Sequence, residues 1–148
     1  MSANRVQHAV LLPVLLVIAC DEPTGLDPVF ATYVAHTVDG VPIPAPLSKN
    51  ANYELLVVAD TIRFGIFARA EWTRVRRTTV GQLAPQVEVA RTEYSYHVRG
   101  DSLRFSVPCP PDADCAPSPH GVFSADRRRL VVNLQLPGAV LEYERTSP

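Results

Sequence analysis

Few groups in this 148-residue chain have the types and spacing for chemistry. Cys109 and Cys115 bracket the five residues Pro-Pro-Asp-Ala-Asp. A redox pair wants two residues between its thiols. A zinc centre wants more ligands close by; His120 is the nearest, and Asp112 with Asp114 completes a poor set. The same two aspartates lack the later ligands of a calcium loop. His36 and His97 stand far from one another in the chain. Glu142 and Glu144 flank Tyr143 on one strand face, the pattern of a solvated edge rather than of an acid–base pair. Phosphate loops, paired-histidine zinc motifs and nucleophile elbows are absent from the sequence. The chain therefore reads as a non-enzyme, with no catalytic residue, no metal and no cofactor. What remains is Cys20, placed where a long apolar run stops.

That run, Ala9 to Ala19, contains no charge, and Arg5 is the only charge before it. A positive start followed by a short apolar stretch is the layout of an export signal. Eleven residues in a helix reach only about 16 Å at ~1.5 Å each, against a hydrocarbon core of roughly 30 Å. Pro13 interrupts the run as well. The segment is too short to span a membrane stably, and the polar Asp21, Glu22, Pro23 and Gly25 follow it at once.

Val17-Ile18-Ala19-Cys20 resembles the lipobox of bacterial lipoproteins: an aliphatic residue, a variable one, a small one, then cysteine. Val17 stands where that family more often has leucine. The resemblance implies cleavage between Ala19 and Cys20, with lipid attached to the Cys20 thiol and to its new amino group. It places the protein in a bacterial cell envelope, periplasmic or surface-facing, with the membrane as its partner. Each buried methylene adds about 0.8 kcal/mol of membrane affinity, and several chains anchor almost permanently where one holds weakly. The expected organisation is a signal peptide over 1–19, a lipidated tether over 20–29 and one domain over 30–148.

Removing the leader takes away Arg5, leaving 129 residues with 13 basic and 15 acidic side chains, a net of −2. That length suits one compact domain. That charge does not point to nucleic acid. With Cys20 committed to lipid, Cys109 and Cys115 remain as an even pair, which oxidises outside the cytoplasm. A disulfide closing so short a loop contributes about 2 kcal/mol in the chain-entropy account. It reads as a structural staple on a long hairpin loop.

The elements are read from period-2 patterns and turn residues. They place strands at 30–38, 53–59, 62–73, 87–99, 102–107, 120–124, 129–136 and 139–145. The clearest alternation runs from Ile62 to Thr73, with Ile62, Phe64, Ile66, Ala68, Ala70 and Trp72 on one side. It predicts a single strand of about 40 Å at ~3.3 Å per residue, bent near Gly65. Pro42 to Pro46 reads as a rigid crossing loop, and Arg74 to Gln86 as a polar link with a basic patch at Arg74, Arg76 and Arg77. That patch fits a solvated strand end or a contact with an anionic partner. A short helical turn fits within 82–86. Linked neighbour to neighbour, these strands predict an all-β fold, an eight-stranded antiparallel up-and-down meander able to close into a barrel.

Tyr33 to Pro44, with its Val38-x-Gly40-x-Pro42-Ile43-Pro44 ending, resembles the opening strand of small lipocalin-like domains in bacterial lipoproteins. The lipocalin G-x-W signature near the first strand is absent, the sole tryptophan being Trp72. An eight-stranded barrel is just wide enough to be filled by side chains or to hold one small ligand. Phe64, Trp72, Tyr94 and Tyr96 are the residues expected to line a pocket for a small apolar ligand. In the alternative, the same aromatics fill the barrel and its outer surface meets envelope proteins.

Overall fold

A computed structural model describes residues 30–108, 117–135 and 137–146. The lipobox, Cys20, the cysteines Cys109 and Cys115, and Leu136 lie outside the described residues. Ten strands follow one another: β1 (Thr32–Val38), β2 (Val41–Pro42), β3 (Ala45–Asn50), β4 (Tyr53–Phe64), β5 (Arg69–Val80), β6 (Gln86–Arg99), β7 (Ser102–Ser106), β8 (His120–Phe123), β9 (Arg129–Asn133) and β10 (Val140–Thr146). The described residues contain no helix. From β4 to β10 each strand pairs antiparallel with the next, and β10 pairs with β1. β1 also pairs with β4, Tyr33 opposite Ile62, which closes an eight-stranded antiparallel barrel of β1 and β4 to β10. Closure leaves those strands no exposed edge where they pair on both sides.

The long alternation at Ile62 to Thr73 is a hairpin, not one strand. β4 ends at Phe64, and β5 starts at Arg69. The four residues between them turn with Phe67 and Ala68 at φ of 56° and 53°. Phe64 stands opposite Ala70 and Ile62 opposite Trp72. An even number of loop residues preserves the parity, so the inward set continues across the reversal as though the chain had never turned. Ile66 and Ala68 are the exceptions; both sit on the turn, exposed, with the exposed Phe67 between them.

Four further readings depart from expectation. Asp60-Thr61 does not end a strand, because β4 runs through it. The stretch read as a polar link is mostly the second half of β5. The proline segment contributes paired strands: Thr37 faces Pro42, and Ala45 faces Val57. No helical turn forms within 82–86.

The interior is filled around Tyr33, Phe64, Phe105, Phe123 and Tyr143, each at most 3 % exposed. Tyr33 meets Phe64 edge-on at 5.6 Å between ring centres, and Phe64 lies 6.2 Å from Phe105. Leu103, Leu130, Val132 and Leu141 complete this plug. Gly121 on β8 has no room for a side chain, since a Cβ there would lie 2.9 Å from the Val131 carbonyl. At one end the barrel wall opens. β7 pairs with β6 only over Ser95 to Arg99, while β5 follows β6 out to Gln86. Val87 and Val89 on this extension are exposed.

Candidate functional site

A charged residue sits inside the barrel. β4 carries a one-residue irregularity between Val57 and Ala59. Such a bulge shifts the in–out parity, so Val57 and Asp60 both lie inside, each 0 % exposed. Asp60 faces Arg74 on β5, and Val57 faces Arg76. Arg74 and Arg76 therefore share the inward face of β5 with Trp72.

Asp60 is fully engaged. Its Oδ1 accepts from Trp72 Nε1 at 2.5 Å and from the Tyr143 hydroxyl at 2.9 Å. Its Oδ2 accepts from Arg74 Nε in a short ion pair. The Arg74 guanidinium also lies 5.1 Å from the centre of the Trp72 ring. Burial pushes the Asp60 carboxyl above its ordinary range, against the opposing pull of Arg74 charge and of its three donors. Burial works against the charge on Arg74, but Asp60 and Tyr143 together outweigh it and hold that guanidinium's pKa above its usual value. Three strands, β4, β5 and β10, are thus tied through one carboxylate.

Above this knot lies a cavity of about 300 Å³. Trp72, Arg74 and Arg76 form one wall, with Ala90, Thr92 and Tyr94 of β6 beside them. Pro117, Pro119, Leu134 and Gln135 face them from the other side. The pairing explains the space: Thr92 stands opposite Trp72, and Ala90 opposite Arg74. Small side chains beside large ones leave a hollow. Tyr94 leans on Trp72 at 5.6 Å. A second hollow, of about 450 Å³, lies by the β4–β5 turn between Phe30, Ile66 and the exposed charges Arg63, Arg69, Glu71 and Glu93.

Of the four aromatics expected at a ligand, the cavity brings together Trp72 and Tyr94. Phe64 belongs to the packed plug and also reaches the second hollow. Tyr96 packs edge-on against Phe64 at 4.9 Å, half-buried. Asp60 is not among the expected site residues, and Arg74 and Arg76 enter the expectation only as part of a basic patch, not of the ligand pocket. Two signals pointed at them: an aspartate inside the apolar run Leu55 to Ile62, and a cluster of arginines that assumed a link where the strand continues. Glu142 and Glu144 are exposed on the outward face of β10, a strand paired on both sides. Among the described residues no three histidines, cysteines or carboxylates cluster to hold a metal.

Tyr143 carries a pH signature. Burial, followed by the Asp60 charge, raises its pKa well above the ordinary value of 10.0. Above that pH an unfolded tyrosine releases its proton while folded Tyr143 keeps it. The folded state then holds more protons, so stability is lost as pH rises, by up to about 1.4 kcal/mol per pH unit from this group. Urea midpoints taken upward from pH 9 (~one unit below the ordinary tyrosine value) will fall less steeply in Tyr143→Phe than in the native chain. Equal slopes would show that Tyr143 does not carry the effect.

No protein-family model, curated protein or solved structure matches the chain.

Proposed function

We propose that this chain is a membrane-anchored envelope lipoprotein, held through lipid on Cys20, whose barrel binds one small ligand in the cavity beside Trp72. The carrying observation is the contrast along the barrel: one part is packed solid by Tyr33, Phe64, Phe105 and Phe123, while the region between Trp72 and Gln135 is left open over about 300 Å³. That volume is at the lower end of small-molecule pockets, which run from roughly 300 to 1,000 Å³. A mixed lining of aromatic rings and a few polar groups is what such sites use to hold an apolar body and orient it.

N-phenyl-1-naphthylamine, titrated into the purified full chain with excitation of Trp72, tests the reading. Saturable binding of one probe per chain, with Trp72 emission falling as probe emission rises, is the expected result. The absence of saturable binding would favour the second reading. In that reading the barrel is a filled scaffold whose surface contacts an envelope protein. The exposed Val80, Leu83, Val87 and Val89 on the β5–β6 extension favour it.

A further inference from the structure

We propose that the ligand is a small ring-bearing organic anion, gripped side-on by the Arg76 guanidinium while its ring rests against Trp72 and Tyr94. This rests on the cavity being a binding site and names what it takes. The two arginines of the wall differ in their freedom. Arg74 is spent on Asp60, a partner buried behind the wall. Arg76 is not. Its Nη2 donates to Glu88 at 3.0 Å, and its buried Nε has no hydrogen-bond partner. Buried donors are nearly always paired, and an orphan asks for an explanation.

Nε and one Nη form the side edge of a guanidinium, a fork that matches the two oxygens of a carboxylate. Glu88 uses only half of it. The Glu88 side chain is 64 % exposed, that of Arg76 30 %. An ion pair so open to water is worth little, roughly 0–1 kcal/mol. An incoming oxyanion with both oxygens on the fork would satisfy Nε and release Glu88 to solvent at small cost. The ring would occupy the space left by Ala90 and Thr92, next to the aromatic pair at 5.6 Å.

Calorimetric titration of the full chain with 2-naphthoate and with 2-naphthamide, a neutral molecule of nearly the same shape, separates charge from apolar fit. The native chain should bind naphthoate at least about tenfold tighter, the worth of one charge-assisted pair. Arg76→Gln should remove that preference and leave naphthamide binding in place. Glu88→Gln should tighten naphthoate roughly two- to threefold, since it removes a weak competitor. Glu88 is at the surface, so this second variant reads the proposal even if Arg76→Gln fails to fold. Equal affinities for the two compounds in the native chain, or naphthoate binding unmoved by both substitutions, would overturn the anion assignment while leaving the cavity a binding site. Failure of both compounds to bind would overturn the two readings together.

Discussion

Asp60→Ala should destabilise the barrel by about 3–5 kcal/mol, the cost of removing one partner from a buried ion pair. The loss does not come from a missing attraction alone. Without Asp60 the Arg74 guanidinium, 16 % exposed, keeps its charge in a poorly solvated wall, and the Trp72 indole N–H and the Tyr143 hydroxyl lose their acceptor. Each buried donor left unpaired costs on the order of 1–3 kcal/mol, and more where it is charged. Asp60→Asn keeps the shape and one acceptor but leaves Arg74 uncompensated, so most of the loss should persist. Asp60→Leu combined with Arg74→Met should recover much of it, because removing both charges removes the penalty of stranding one. Urea unfolding reads all four chains, with the midpoint moving at constant slope. A shift under about 1 kcal/mol in Asp60→Ala would mean that the knot is not what holds β4, β5 and β10 together.

Cys20→Ala should move the protein from the membrane fraction to the soluble one almost completely, with the barrel still folded. The proposed anchor has several acyl chains on one residue. At about 0.8 kcal/mol per buried methylene, their loss outweighs any affinity that a domain of near-neutral charge offers to lipid headgroups. The domain should be indifferent to the change, since the described barrel starts its first strand at Thr32 and closes through β10 at Thr146. Sedimentation of membranes reads the first effect and Trp72 emission the second. Persistent membrane association in Cys20→Ala would remove the lipid anchor from the proposal and leave the cavity and its ligand to be judged separately.

The core was legible because it depends on local alternation. Leu103 with Phe105, Leu130 with Val132, and Leu141 with Tyr143 each repeat at period 2, and each pair is buried in the barrel. Such a pattern is decided by neighbouring residues on one strand, so reading along the chain is enough to find it. The antiparallel meander was legible for the same reason: Gly100 and Gly138 mark turns between neighbours, at φ of 62° and 90°. Where the chain reverses at Gly65 to Ala68 the pattern misled, because parity carries through an even loop and alternation has no sign for direction.

The site obeys a different logic. Asp60 keeps the inward parity of Ile62 and Phe64, whereas Val57 joins it inside only through a bulge, and a bulge belongs to the pairing between two strands rather than to either sequence alone. The hairpin register sets Asp60 against Arg74, the unbroken parity of β5 from Trp72 puts Arg74 and Arg76 of the expected basic patch on the inward face, and the β5–β6 pairing leaves Ala90 and Thr92 opposite the bulky Arg74 and Trp72. The amino-acid sequence determined by itself that the chain is a β meander with a dry face on each strand. Only the tertiary structure decided which charges that face encloses, because enclosing a carboxylate is tolerable only where an arginine, a tyrosine and a tryptophan from other strands arrive to satisfy it.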